Sequence, residues 1–395
     1  MVRVLTGGVL MLAIAMGMGR FAFTPILPAM QEATGLGGDG AGLLASLNYL
    51  GYFLGAVGAG LVPRGRVRTL TFRTALVASV TTTAAMGLGE AMAGWVVLRF
   101  LSGLASAGVF ILGVAMVLDA LARAGRETLA GWMYTGVGLG IAGSGLFVAL
   151  AGGRLGWAGD WLVLGALCAV LAVPVWLWVH DRDAPPANTA AAAGGKAAGG
   201  RLSVPLLLLT VAYFLEGGGY IVTGTFLVAL LKAVPDTAAV GEAAWMVAGL
   251  AAIPSGLLWA AAGRRFGLWQ ALIAAHLVQA VGVALPLAGG PAAGILSAAL
   301  YGGTFIGIVT LAFTLGRQLS GGASARVIGA LTAAYGLGQI LGPLPAGIAV
   351  ERTGSFDAAL MGAAAAVALA ALCLLAGMVL ARRSAASTGE VPCRT

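Results

Sequence analysis

The sequence predicts an all-α membrane protein of twelve transmembrane helices, arranged as two pseudosymmetric six-helix bundles. Three observations lead there. Of 395 residues, 60% are hydrophobic and only 9% are charged, with a mean hydropathy of +0.98. A soluble globular chain carries about 25% charged residues, so this chain could not cover a water-facing surface. The apolar residues fall into runs long enough to cross a bilayer, and motifs of the first half return near residue offset 200. The 64 glycines follow no triplet period, which excludes collagen, and the apolar content excludes disorder.

Apolar runs between polar or charged breaks place the spans at 4–29, 40–62, 70–89, 92–119, 128–151, 159–180, 204–231, 242–262, 269–289, 293–316, 327–350 and 357–381. A span needs about 20 residues to cross about 30 Å of hydrocarbon. The first run follows Arg3 like a signal peptide, but Arg20 interrupts it and no small-residue cleavage site follows. An uncleaved first span is expected.

Basic residues test the count and set the orientation. With the N-terminus inside, 17 of the 22 lysines and arginines lie on the inner side, while Arg154, Lys232 and Arg352 lie outside and Arg20 and Arg99 lie within spans. One missed or extra span would scramble that asymmetry. A multi-pass membrane protein with an even number of spans and both termini inside, on the cytoplasmic face, is therefore expected.

The net charge of +8 does not point to nucleic acid, because the basic residues are scattered in short clusters between apolar runs. Cys168, Cys373 and Cys393 form neither a disulfide framework nor a metal spacing. No HExxH, GxxxxGK[ST] or CxxC occurs, so neither a zinc protease nor a nucleotide-driven pump is expected. The expectation is no enzyme, no metal and no cofactor.

The longest loop, His180 to Ser203, holds Asp181, Asp183, Pro185, Pro186 and an Ala/Gly-rich run. It reads as a cytoplasmic linker. The predicted organisation is a bundle at 1–180, a linker at 181–203, a second bundle at 204–383 and a cytoplasmic tail at 384–395. The halves echo each other. Gly136, Gly140, Ser144 and Gly145 of span 5 return as Gly338, Gly342, Ala346 and Gly347 of span 11 at an offset of 202, and Gly19 to Thr24 aligns with Gly218 to Thr223 at 199. Repeats placed this way build midplane sites that open to alternate sides.

These residues resemble the major facilitator superfamily of transporters over the whole chain. Gly60 to Arg68 resembles its basic loop without the usual aspartate, and Leu98-Arg99-Phe100-Leu101-Ser102-Gly103 resembles its span-4 motif. Gly136 to Gly145 resembles the span-5 "antiporter" motif, with Ile141 in place of proline, and Gly342-Pro343 restores a Gly-Pro step in span 11. Met18 to Met30 (MGRFAFTPILPAM) is similar to the signature of the YbfB/YjiJ-type subgroup, and Leu215 to Tyr220 with Thr225-Phe226-Leu227 is similar to its second-half counterpart. The resemblance implies alternating access. It also associates Arg99 with proton transfer or with holding the inner cavity, and Gly136, Gly140, Gly145, Gly338, Gly342 and Pro343 with gating and helix packing.

Ionisable residues deep in a span face the bundle interior, a partner or water. Arg20, Arg99 and Glu216 are the three here. Asp119, near the inner end of span 4, is expected to be solvated or to pair with loop arginines. Arg20 lies about 24 Å along span 1, where Gly17, Gly19, Pro25 and Pro28 allow backbone adjustment. The competing reading is an arginine snorkelling to headgroups. Glu216 lies about 18 Å into span 7. Burial and a neighbouring arginine act on its proton affinity in opposite senses, so a conformational change can switch its protonation. The competing reading is a permanently protonated acid bonded to backbone. Tyr220 and Thr223 share its helix face at i+4 and i+7. The pairs Asn48/Tyr52 and Tyr335/Gln339, each at i, i+4, mark further cavity faces. Tyr134, Trp245, Tyr301, Thr304 and Gln279 are weaker candidates, and His276 is expected to be a satisfied core histidine.

The predicted proton-coupling residues are thus Glu216, Arg20 and Arg99, and the predicted substrate contacts are Arg20, Asn48, Tyr52, Tyr220, Thr223, Tyr335 and Gln339. The expected function is secondary transport of a small organic solute, as proton-coupled export of a metabolite or drug-like weak acid. Its partners are that solute, protons and the lipid bilayer, and the chain is expected to act as a monomer. Proton-coupled import of an organic anion, or a membrane sensor or scaffold without flux, are the alternatives.

Overall fold

The computed structural model describes residues 1–151, 154–181, 203–320 and 324–388. Each predicted run is helical, and no strand occurs among the described residues. Among the described residues eleven helices are long and apolar enough to cross a membrane: span 1 at Val2–Thr34, span 2 at Gly38–Ala59, span 4 at Met92–Arg123, span 5 at Glu127–Ala151, span 6 at Gly156–Trp178, span 7 at Val204–Lys232, span 8 at Gly241–Phe266, span 9 at Leu268–Ala288, span 10 at Pro291–Leu319, span 11 at Arg326–Thr353 and span 12 at Asp357–Arg383.

The twelfth, span 3, is the helix Arg66–Ala85, whose composition is threonine-rich and less apolar. Thr74, Thr81, Thr82 and Thr83 each return the hydroxyl to the carbonyl four residues back, which satisfies the donor away from water. The helix starts at Arg66 rather than at 70, because Gly65 at φ 87° turns the chain into it earlier. At the other end of the chain, the helix of span 12 continues to Thr388, into the segment expected to be a tail. The expected linker over 182–202 and the tail residues 389–395, with Cys393 and Arg394, lie outside the described residues.

Spans 1 and 7 form the middle of the molecule. Met11 to Leu27 and Gly219 to Leu231 are buried without a break, whereas the other spans expose aliphatic side chains such as Leu54, Val97, Leu150, Val170, Leu258 and Leu372 along their outer faces. One apolar core runs across both halves through spans 1 and 7, and a second lies among spans 7, 9, 10, 11 and 12.

Glycine sets the distance between the helices. In span 5, Gly136 meets the Val9 carbonyl of span 1, and a Cβ on Gly140 would lie 2.5 Å from the Ala13 carbonyl oxygen and 2.7 Å from Gly17 Cα. Span 11 repeats this against span 7, where Gly338 meets Phe214 O and Gly342 meets Gly218 O. A second pair of contacts joins the halves. Gly145 of span 5 packs on Met246 N of span 8, and Gly347 of span 11 packs on Gly38 O of span 2, with the Pro343 carbonyl against Gly42.

These inter-half contacts close the face opposite Met1. On that face the Glu351 carboxylate of span 11 accepts a 2.7 Å hydrogen bond from Gly38 N at the start of span 2, and Thr24 of span 1 donates to Gly224 O of span 7.

Side chains added at the span 1–span 5 crossing should push the helices apart. Gly140→Val is expected to destabilise the protein by about 1–3 kcal/mol, the usual cost of overpacking. Gly143→Ala on the same helix, where a Cβ meets nothing within 4 Å, should be neutral. Thermal unfolding of both variants in detergent checks this; equal melting temperatures would refute the glycine seam.

Candidate functional site

Arg20 sits where span 1 departs from an α-helix. Residues Ala13–Met18 form a π-turn, with Gly19 N–H donating to Ile14 O at 2.7 Å and Phe21 N–H to Met16 O at 3.1 Å. Pro25 has no N–H and its ring crowds the carbonyl four residues back, so the helix restarts only around Phe23. A π-turn of this kind often marks a functional position. The Gly19 carbonyl it frees accepts a 3.1 Å bond from Ser102 Oγ of span 4.

The Arg20 side chain is buried, at 3% exposure. Its guanidinium carbon lies 4.1 Å from the Tyr52 ring centroid, 4.5 Å from Tyr49 and 5.4 Å from Phe21. Nη2 donates to Gln339 Oε1 of span 11 at 3.2 Å. Among the described residues no acid forms an ion pair with Arg20, and its Nε has no partner. The amide of Gln339 then donates to the Tyr220 hydroxyl of span 7 at 2.5 Å.

Tyr220 is the centre of a stack. Tyr335 lies 5.5 Å away, Tyr301 6.0 Å and Phe305 6.1 Å, centroid to centroid. Trp245 of span 8 stacks on Tyr301 at 6.3 Å and tilts against Phe21 at 6.5 Å. Trp245 Nε1 and the Tyr301 hydroxyl are buried without partners. Tyr52 and Tyr335 keep partial exposure, whereas Tyr220 and Tyr301 are fully buried.

The other predicted residues are placed around this centre. Arg99 packs its guanidinium on the Phe23 ring at 4.5 Å and donates through Nε to Leu44 O at 3.4 Å. Asn48 donates to the Arg99 carbonyl at 2.9 Å and so ties span 2 to span 4. Tyr49 lies within reach of the charges of both Arg20 and Arg99. Thr223 is buried with its hydroxyl unpartnered.

Glu216 stands apart from Arg20. It is fully buried, and the side chain that approaches its carboxyl is Gln279 of span 9. Neither Glu216 oxygen, and neither amide atom of Gln279, completes a hydrogen bond. His276, one turn earlier on span 9, lies 2.8 Å through Nδ1 from Leu272 O. Its Nε2 has no partner, so the expectation of a satisfied core histidine holds for one ring nitrogen only.

Arg20, Tyr52, Tyr220, Tyr335 and Gln339 thus come together, while Asn48, Arg99 and Glu216 do not contact that group by hydrogen bonds. Sequence reasoning missed Tyr49, Phe21 and Phe305. The signals that were present are the i, i+3 pairing of Tyr49 with Tyr52 and the i, i+4 pairing of Tyr301 with Phe305. Among the described residues, no group of three or more His, Cys, Asp or Glu side chains is placed to hold a metal ion.

A charged network lies at the face that carries Met1. Arg68 pairs with Asp119 at 2.7 Å and with Asp181 at 2.8 Å, and Arg64 reaches Asp119 at 3.9 Å. Asp181 also accepts from Gly65 N at 2.7 Å. It therefore supplies, from just beyond span 6, a carboxylate that the basic loop lacks. Burial opposes ionisation of Asp181. The hydrogen bonds from Arg68 and Gly65, with the charges of Arg68 and Arg123, outweigh it and hold the carboxyl below its ordinary value of 3.8.

Two six-helix halves meeting on a buried polar and aromatic centre define a membrane transporter of the major facilitator type, not an enzyme. The chain belongs to the MFS_4 family, described as "Uncharacterised MFS-type transporter YbfB", which it matches over residues 12–375. Solved structures of similar fold include a variant of the nucleoside transporter NupG, with TM-score 0.79 and 16% identity over 94% of this chain and 99% of that one. A D-xylose-proton symporter matches with TM-score 0.73 and 15% identity, over 94% of this chain and 95% of that one. At such identities the likeness is one of fold. None of the curated proteins matches the chain in sequence.

The lowered proton affinity of Asp181 has a defined consequence for stability. A carboxyl with a depressed pKa in the folded state stabilises above its unfolded value and loses that contribution as pH falls through the folded one. Asp181→Asn should therefore unfold at a lower temperature than the wild type at neutral pH, and the gap should close as pH drops below about 4. Thermal scans of both proteins from pH 7 to pH 3 check it; a gap that does not shrink with acid would contradict the pairing.

Proposed function

We propose that this transporter moves a small organic anion, a metabolite or drug-like weak acid, across the bacterial inner membrane by alternating access coupled to protons. The observation that carries the reading is Arg20: a guanidinium buried at the interface of the halves, held by ring faces and an amide, with no acid paired to it among the described residues. A buried cation without a counter-ion is costly, and an anionic solute provides one. The closure of the opposite face by Gly38–Glu351 and Thr24–Gly224 supports approach from the face that carries Met1.

Glu216 is the residue we assign to carry the proton. Its oxygens lack hydrogen-bond partners, it shares span 7 with Tyr220, and Tyr220 connects through Gln339 to Arg20. Arg99, behind Tyr49, is assigned to hold spans 2 and 4 against the site. The bundles at 1–180 and 204–383 would move against each other about the 181–203 linker, with the termini cytoplasmic and the chain acting as a monomer. Export against proton entry is the direction we assign, supported by the span-5 resemblance.

Reconstituted protein should accumulate or expel a labelled weak acid in response to an imposed pH gradient. Glu216→Gln should reduce gradient-driven flux to background while leaving solute counterflow measurable. Wild-type proton coupling in that variant would refute the role of Glu216; flux indifferent to the gradient in the wild type would refute the coupling itself.

A further inference from the structure

The ring system around Arg20 narrows the solute further. An aromatic box by itself suits a quaternary ammonium. Here the box is filled by the chain's own guanidinium, 4.1 Å and 4.5 Å from the Tyr52 and Tyr49 centroids. A second cation would meet a like charge, whereas an anion would complete a pair. Next to Phe21, which meets Trp245 and Phe305 at 6.5 Å, the stack of Tyr220, Tyr301, Phe305 and Trp245 holds its rings 5.5–6.3 Å apart, the separation at which flat rings attract. Two polar atoms of this stack, Trp245 Nε1 and the Tyr301 hydroxyl, are buried with no partner.

Buried donors are normally satisfied, and two orphans beside one another on spans 8 and 10 call for an explanation. The Phe21 ring lies 5.4 Å from the guanidinium and 6.5 Å from the Trp245 ring, so one ring touches both the charged group and the indole that carries an orphaned donor. The same stack joins the halves, since Phe21 belongs to span 1 and Trp245, Tyr301 and Phe305 to spans 8 and 10. When the halves part, ring-on-ring contacts are lost, and a flat ring restores them with matching geometry.

We propose that the solute is an aromatic carboxylate, with its carboxylate on Arg20, its ring system against Phe21 and the Tyr220–Tyr301–Phe305 stack, and a polar acceptor at its distal end on Trp245 and Tyr301. This rests on the anion reading above and adds flatness and a second polar end to it.

The test uses one scaffold and the full-length protein in detergent, with affinity measured by equilibrium titration. The probes are 2-naphthoate, 6-hydroxy-2-naphthoate, the fully saturated decahydronaphthalene-2-carboxylate, 2-naphthamide and 2-naphthylmethyltrimethylammonium. The expected order places 6-hydroxy-2-naphthoate first and 2-naphthoate second. The saturated acid should follow, weaker by about tenfold, and the amide and ammonium last. Trp245→Phe should erase the gain from the 6-hydroxyl, so that 6-hydroxy-2-naphthoate binds that variant no better than 2-naphthoate does. Arg20→Gln should bring 2-naphthoate down to the level of the amide, with Arg20→Lys recovering part of the loss.

Melting temperatures of the variants separate loss of binding from loss of fold, and the Trp245→Phe comparison is internal to one protein. Equal affinity for the saturated and aromatic acids would overturn the inference while leaving an anion transporter. Equal affinity for acid and amide, or preference for the ammonium, would overturn the anion reading and this inference together. Failure of every naphthalene probe, with an aliphatic acid still transported, would overturn the inference alone.

Discussion

The structure depends on how Arg20 is kept inside the bilayer. Taking a guanidinium out of water costs several kcal/mol even after the protein relaxes, and among the described residues no acid is paired with it. What compensates are ring faces on span 2, the neighbouring Phe21 and the amide of Gln339 on span 11. Each of these makes a demand on the fold. Span 1 must bend to aim the side chain, which the π-turn before Gly19 achieves. Span 11 must come near enough for a hydrogen bond, which brings Gly38 and Gly42 against Gly347 and Pro343. The hydrogen bond from Arg20 to Gln339 therefore crosses the seam between the halves. Any motion that parts them at that level breaks it.

The seam is suited to such motion because it is built of backbone. Where Gly145 of span 5 meets Met246 N of span 8, or Gly347 of span 11 meets Gly38 O of span 2, no side chains interlock at the point of closest approach, and two helices can slide or rock without forcing rotamers through one another. Small residues at helix crossings serve the same end in membranes, where dispersion rather than the hydrophobic effect drives helix association. The seam is also duplicated. Span 5 on spans 1 and 8 is matched by span 11 on spans 7 and 2, so both halves use one pattern of glycines twice. The symmetry breaks at the charged centre, where Arg20 has a glycine, Gly219, as its counterpart at offset 199. The Thr24 hydroxyl is bonded to Gly224 O, while its counterpart Thr223 is left unpartnered.

Much of this was legible in the chain itself. Twelve apolar runs, a one-sided distribution of arginines and a repeat at an offset near 200 suffice for the architecture, because lipid leaves helices few alternatives. Polar side chains inside apolar runs are equally conspicuous, which is why Arg20, Tyr52, Tyr220, Tyr335 and Gln339 stood out and why the structure gathers them. Tyr49, Phe21 and Phe305 did not stand out, since an aromatic ring in an apolar helix looks the same whether it packs in a core or faces a ligand. The start of span 3 was misplaced because its polar composition hid a helix that a single left-handed glycine initiates. The approach of Gln279 to Glu216 joins spans 7 and 9, and the pairing of Asp181 with Arg68 joins the end of span 6 to the start of span 3. Neither has a local period to betray it.

The separation of Arg20 from Glu216 constrains how the proposed coupling can work. Had they formed an ion pair, solute and proton would compete by direct exchange of partners. Instead Glu216 lies one helical turn before Tyr220, and Tyr220 reaches Arg20 through the amide of Gln339. Coupling between distinct sites is a free energy carried by an element with two arrangements that both sites bias. In the proposed coupling that element is the seam: an anion on Arg20 would replace Gln339 as its partner and loosen span 11 from span 1. A freed Tyr220 would then alter the packing of span 7 against span 9, where Glu216 and Gln279 lie unbonded. A charge on Glu216 would be intolerable in that dry site and acceptable once the halves admit water. In that scheme proton loss and solute movement would draw on the same opening of the seam, and neither group would need to touch the other.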